Sequence, residues 1–192
     1  AKRGYDMIGI DLSCDMLTVA REKAQAQNLN ILFLEQDMTA FELYGTVDAI
    51  VCLLDSVNYI VKPEALLQTF KAVQNYLNPQ GIFIFDINTS YKFRHILGQN
   101  TYTHETDDMF YVWQNDFDGE ICEFALSFFV KEKAHYRRFD EVHYERSYTL
   151  TALKRLLKRA GLTFLDAFDD LTFSPPHSKS ERIFLVAQKE HS

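Results

Sequence analysis

Glycine and cysteine are scarce in this chain, and long apolar runs are missing. The seven glycines stand at 4, 9, 45, 81, 98, 119 and 161, too scattered for any two to build a glycine-rich loop. Three cysteines, Cys14, Cys52 and Cys122, are an odd number without metal-type spacing. Cys52 and Cys122 lie in apolar runs, so buried free thiols in a reducing compartment are expected. The six histidines make no His-x-x-x-His or His-Glu-x-x-His pattern, so no metal site is expected, and no Ser or Cys sits in a nucleophile elbow. No apolar run reaches membrane-spanning length and no signal peptide is visible, which points to a cytoplasmic protein that makes no membrane contact. Basic residues are outnumbered 20 to 27, a net charge of -7 that argues against a general phosphate-backbone binder, though not against a local basic groove. Internal repeats and low-complexity segments are absent.

What is present suits one domain with at most a subdomain: 192 residues, 47% hydrophobic and 14% aromatic, enough for a sizeable core. The organising stretch is Tyr5 to Leu17. Met7-Ile8-Gly9-Ile10 reads as a short strand ending on a carboxylate, Asp11. Ser13 suits a helix N-cap, because its hydroxyl can accept from an unpaired backbone N–H. The helix after it carries Met16, Leu17, Ala20 and Ala24 on one face. Gly4, just ahead, looks like the left-handed end of a preceding helix. Ile31 to Leu34 is a second strand. Val47 to Leu54 is a third, apolar enough to be buried on both faces. A helix follows from Lys62 to Leu77, with Leu66, Phe70, Val73 and Leu77 in a stripe and Pro63 in its first turn. Asn78-Pro79-Gln80-Gly81 is a turn, and Ile82 to Ile87 a fourth strand. Strands alternating with helices through short turns predict a doubly wound, mostly parallel α/β sheet.

The pattern then changes. Between Met109 and Tyr148 three long segments alternate with period two, an antiparallel meander. In the middle segment Cys122, Phe124, Leu126, Phe128 and Val130 share one face, and Asp118-Gly119 signals a tight turn before it. Tyr136, Tyr144 and Tyr148 share a face with Arg138 and Arg146, read first as a solvated sheet face. Thr151 to Ala160 is a helix closed by Gly161. Leu162 to Phe168 and Arg182 to Gln188 are two last strands. The expected division is a cofactor-type core over 1–108, the inserted meander over 109–148, and a closing helix and strand pair over 149–192.

This ordered set resembles the class I S-adenosylmethionine-dependent methyltransferases, in particular small bacterial ones with an inserted β-meander. The carrying residues are Ile8-Gly9-Ile10-Asp11-Leu12-Ser13, Glu35-Gln36-Asp37-Met38, Val47 to Cys52, Asp55-Ser56-Val57-Asn58-Tyr59, Leu77 to Gly81 and Phe85-Asp86-Ile87-Asn88-Thr89, with Leu156 to Gly161 and Arg182 to Ala187 at the end. The resemblance implies a Rossmann-like fold and S-adenosyl-L-methionine as cofactor. Asp11 would accept from both ribose hydroxyls, with Leu12 lining the adenine pocket. Asp37 would accept the adenine exocyclic amine, beside the Met38 backbone N–H. Met16, Leu53, Leu54 and Asp55 complete the expected cofactor side. Asn58, Tyr59, Asn88, Tyr91 and Arg94 are substrate-side candidates, Arg94 being as readily a surface arginine. No catalytic base is assigned.

One departure stands out. The family opens with a strand and a glycine-rich loop around the methionine part of the cofactor, and no such loop is present. The chain therefore reads as a fragment of a longer parent, which would leave unpaired strand edges at the gap. The expected function is methyl transfer to a small-molecule acceptor. The alternatives are a dinucleotide-binding oxidoreductase, which also ends a second strand on an acid, a non-enzymatic interaction module with a vestigial site, or an RNA methyltransferase, which the acidic balance disfavours. A homodimer through the meander stays open.

Overall fold

A computed structural model describes residues 1–190 and resolves ten strands and three α-helices. β1 (Ile8–Asp11) pairs in parallel with β2 (Leu32–Glu35), Asp11 opposite Glu35, and α1 (Cys14–Gln25) connects them. Ser13 caps α1 as expected: its hydroxyl accepts from the Met16 N–H at 3.2 Å. A second sheet has the order β3-β4-β10-β9, from Val47–Cys52, Leu77–Asn88, Arg182–Lys189 and Leu162–Asp169. β3 and β4 are parallel; β10 runs antiparallel to both β4 and β9. A third sheet, β5-β6-β7-β8, is the meander.

The core forms where α2 (Pro63–Tyr76) and α3 (Leu150–Arg159) cover the second sheet. Leu66, Phe70 and Val73 of α2 and Leu153, Leu156 and Leu157 of α3 recur at helical spacing and are all buried. They meet Phe83, Phe85 and Ile87, alternate residues on one face of β4. The Phe70 ring lies 5.4 Å from Phe85 and 5.8 Å from Phe83, tilted and edge-on, as aromatic quadrupoles prefer. A smaller cluster of Phe93, Leu97, Cys122 and Phe124 holds the meander to a π-helical turn, Lys92–Leu97.

Several expectations are corrected. β3 is not buried on both faces; Val51 is 55% exposed. Among the described residues β3 pairs only with β4, and β1 only with β2, so the parallel sheet is in two pieces. Exposed Met7, Ile8, Leu12, Val51 and Leu53 gather along these two pieces. Met16 is likewise exposed rather than on the buried stripe of α1, which is set by Leu17 and Ala24. The turn at Asn78 to Gly81 falls inside the long β4 as a bulge: pairing jumps from Val47 with Leu77 to Ala49 with Ile82. The meander has a fourth strand, β5 (Thr101–Glu105), beside β6 (Met109–Phe117), β7 (Ile121–Glu132) and β8 (His135–Arg146). Its polar Thr-Tyr-Thr-His-Glu sequence carries too little apolar alternation to be read as a strand. The Asp118-Gly119 turn is as expected. Asp118 Oδ1 accepts from the Glu120 and Ile121 N–H groups at 2.7 Å, and Gly119 takes φ 105°, which a side chain would disfavour. Tyr148 leaves the tyrosine face: the chain turns at Ser147 to enter α3, and its hydroxyl is buried on the Ile60 carbonyl.

Phe85→Ala is expected to lower stability by ~3–5 kcal/mol and Ser13→Ala by ~1 kcal/mol, read as shifts in urea unfolding. A Phe85→Ala protein as stable as the parent would remove Phe85 from the core.

Candidate active site

Residues with chemistry to offer stand just past the C-terminal ends of the parallel strands, where open α/β sheets bind ligands. Asp11 ends β1, and its Oδ1 accepts from the Ser13 N–H at 2.8 Å. Asp37 follows β2, and its Oδ1 accepts from both the N–H and hydroxyl of Thr39, each at 2.8 Å. Both aspartates are exposed. In each the turn occupies one oxygen and fixes the side chain, leaving Oδ2 without a partner among the described residues. Leu12 and Met16 are exposed beside Asp11, while Met38 packs against the main core. A cavity of about 520 Å³ lined by Arg21, Asn28, Asn30 and Phe33 lies at the other end of α1 and β2, away from these acids.

The ends of β3 and β4 carry a denser arrangement. β3 stops at Cys52, two residues before the sequence pattern suggested, because Leu54 and Asp55 take left-handed conformations, φ 59° and 53°. That sharp turn leaves Leu53 and Leu54 exposed and swings Asp55 back over the sheet. Its N–H donates to Asp86 Oδ2 at 3.0 Å. Asn88 Nδ2 donates to Asp55 Oδ2 at 2.6 Å, and Arg182 Nη2 to Asp55 Oδ1 at 3.2 Å. Arg182 also pairs with the fully buried Asp86. From the meander Glu145 enters the same cluster: Asn88 Nδ2 donates to Glu145 Oε2 at 3.1 Å, and Lys92 Nζ to Asn88 Oδ1 at 2.9 Å.

Asn58 latches these pieces together. It is fully buried. Its Nδ2 donates to the carbonyls of Asn88 (3.2 Å) and Arg146 (2.8 Å), and its Oδ1 accepts from the Asn88 N–H at 2.9 Å. Asn58 and Asn88 are thus consumed in joining β4 to β8, with no group left for a substrate. Tyr59, one residue on, stays 45% exposed, and its ring stacks on His143 at 5.4 Å. His143 stacks in turn on Phe124 at 5.1 Å. Tyr91 lies half-buried with its ring 4.9 Å from His95, and Arg94 is exposed on the π-helical turn. Sequence reasoning missed Asp86, Lys92, His143, Glu145 and Arg182. Period two does place His143 and Glu145 together, opposite Tyr144 and Arg146, but which face turns inward is a matter of docking.

The electrostatics follow from burial. Loss of solvation and the neighbouring Asp55 carboxylate push Glu145 up to about 7, against the opposing pull of Asn88, Lys92 and Arg182. Burial, then Glu145 and Asp55, push the Tyr59 hydroxyl up to about 12, so it stays protonated at neutral pH and is not available as a base. Burial alone would lower the Arg182 guanidinium, but Asp55 and Asp86 more than offset this and hold it firmly charged. His143 is lowered by burial, with Glu141 and Asp55 opposing. Burial pushes Cys52 up to about 11, and burial with Glu145 pushes Cys122 up to about 12, so neither thiol is a nucleophile at neutral pH.

With this geometry in place, comparison with known proteins is decisive. A family profile described as a methyltransferase domain matches residues 1–81. YqeM of Bacillus subtilis (strain 168), named as a candidate methyltransferase, is 36% identical over 194 aligned positions, which cover 98% of this chain and 77% of that one. The chain belongs to the class I S-adenosylmethionine-dependent methyltransferases. A solved S-adenosylmethionine-dependent methyltransferase from Clostridium acetobutylicum ATCC 824 superposes with a TM-score of 0.91 at 36% identity, covering 97% of this methyltransferase and 76% of its own chain. The amino pentose methyltransferase CalS10 from Micromonospora echinaspora, solved with S-adenosylmethionine bound, shares the fold at a TM-score of 0.72 and 21% identity, over 96% of this chain and 74% of its own. S-adenosyl-L-methionine is therefore the cofactor, and it supplies an electrophilic methyl on a sulfonium.

Glu145 makes a prediction of its own. Its folded pKa, about 7, lies above its ordinary 4.5, so the folded state keeps a proton that the unfolded chain has released. Stability is then greatest below about pH 4.5, falls as pH rises toward about 7, and levels off, a loss of roughly 3 kcal/mol from this group. Glu145→Gln should flatten that segment and be more stable than the parent above pH 7. Urea titrations at pH 5 and pH 8 compare the two proteins, and a parent with equal stability at both would contradict the burial argument.

Proposed function

We propose that this methyltransferase acts on a small-molecule acceptor, with the core holding the cofactor and the meander shaping the acceptor pocket. The observation that carries the cofactor side is the matched state of Asp11 and Asp37. Each has one oxygen tied into its own turn and the other open to solvent. An ionised carboxylate only accepts, so Asp11 suits the two donors of the ribose diol and Asp37 the exocyclic amine of adenine. The residues present thus fit the nucleoside end of the cofactor. Exposed Leu12, Met16, Leu53 and Leu54 offer apolar surface for the adenine and the methionine chain, and the Met38 N–H a donor to a ring nitrogen. Asp55 has both oxygens engaged within the protein and acts here by ordering the end of β3.

Three features support a small acceptor. The mouth is framed by Tyr59, from the turn after β3, stacked on His143 of the meander, rather than by a basic stripe. The net charge of -7 disfavours a polyanion. CalS10, alike in fold, is an amino pentose methyltransferase. Methyl transfer needs alignment and exclusion of water more than acid–base power. Tyr91 and Arg94 remain on the acceptor side of this reading.

Asp11→Ala is expected to weaken S-adenosylhomocysteine binding by about 1–3 kcal/mol, with Asp37→Asn in the same range, by calorimetric titration. NADH should give no binding. Titration curves unchanged in both variants would remove the two acids from the site, and NADH binding would restore the oxidoreductase reading.

A further inference from the structure

Glu145 has no part in the cofactor contacts proposed above, yet the protein buries it beside Asn88, Asp55 and Tyr59. It is 2% exposed. Its Oε2 accepts from Asn88, while among the described residues no group donates to its Oε1, which is not sealed from solvent. A carboxylate so deeply buried, with one oxygen left open and unpartnered by protein, has an acceptor free for an arriving donor.

The charges around it are unbalanced. Facing Glu145 are Asp55 from the end of β3, Lys92 from the π-helical turn, Arg182 from β10 with its partner Asp86 on β4, Tyr59, and Cys122 across the meander. His143, two residues away on the same strand face, is lowered by burial, with Glu141 and Asp55 opposing. Tyr59 and Cys122 stay protonated at neutral pH. Three carboxyls, Asp55, Asp86 and Glu145, thus meet two cations, Lys92 and Arg182. The cluster is neutral when Glu145 is protonated and carries one surplus negative charge when it is ionised.

We propose that Glu145 is the acceptor-side carboxylate of this enzyme and that the acceptor it receives is an amine. This rests on the small-molecule reading above. An anionic acceptor would be repelled by the carboxyls. A neutral hydroxyl gains nothing from the surplus charge. An ammonium supplies both the missing positive charge and N–H donors for Oε1, and the exposed Tyr59 ring, stacked on His143, offers it a π face. An ammonium cannot attack a methyl group, because its lone pair is bound to a proton. Glu145 takes that proton: the N–H bond breaks, its electron pair stays on nitrogen, and the carboxylate becomes a neutral acid that returns the proton to water through the opening at Oε1.

The test uses two cofactor analogues. Sinefungin carries an ammonium where the transferable methyl sits; S-adenosylhomocysteine carries nothing there. The ratio of their dissociation constants, S-adenosylhomocysteine over sinefungin, cancels every contact the two share. In the parent protein this ratio is expected to rise about tenfold between pH 5.5 and pH 8.5, as Glu145 ionises. In Glu145→Gln it is expected to be flat. A flat ratio in the parent, which needs no variant to fold, or a rise that Glu145→Gln retains, overturns the assignment. Failure of S-adenosylhomocysteine itself to bind would instead overturn the cofactor reading beneath it, and this one with it.

Discussion

One buried polar knot, Asp55 with Asn88, Asp86, Glu145 and Arg182, governs how the pieces of this protein meet. It joins the ends of β3 and β4 to β10 on one side and to the meander on the other. Buried charges survive only when paired and hydrogen-bonded, so each member constrains the position of the others. Asn58 extends the constraint to backbone, gripping Asn88 and the Arg146 carbonyl at once. The meander is therefore not a loosely appended sheet. Its last strand is pinned at its C-terminal end beside the ends of β3 and β4.

That arrangement separates two kinds of acid in one site. Asp11 and Asp37 sit on short turns, solvated, with an oxygen free for a ligand. Asp55 and Asp86 share the single Arg182 guanidinium and serve the scaffold. Glu145 belongs to neither group. It is buried like Asp86, whose Oδ1 is also unpartnered among the described residues, but its own free oxygen is not sealed, and desolvation moves its titration to neutral pH. Residue type and environment act together here: five carboxyls around the ends of parallel strands divide into solvated turn acids, scaffold anions and a titrating group according to burial and pairing.

The sheet itself shows what neighbours contribute. The apolar run from Val47 to Leu54 reads as a strand covered on both faces, yet Val51 is largely exposed, because burial is a property of what lies alongside. The same holds for Met16, whose place in the helical period suited the buried face. Where burial comes from local packing of helix on strand, the reading held: Leu66, Phe70, Val73 and Leu77 are the core stripe they seemed to be. These 192 residues hold no glycine-rich loop, so the proposed polar cofactor contacts are confined to the nucleoside end.

The sequence by itself determined the alternation of strands and helices, the Ser13 cap, the Asp118-Gly119 turn, the meander and the two acids after β1 and β2. All of these rest on periodicity, turn chemistry or motifs only a few residues long, and such signals survive without knowledge of the fold. Only the tertiary structure decided that Asn58 and Asn88 are consumed internally, that Arg182 reaches back 127 positions to Asp55, and that Glu145 points inward. A strand's two faces are equivalent in sequence until another layer covers one of them, and a carboxyl's protonation depends on water and charges that long-range packing alone removes or supplies.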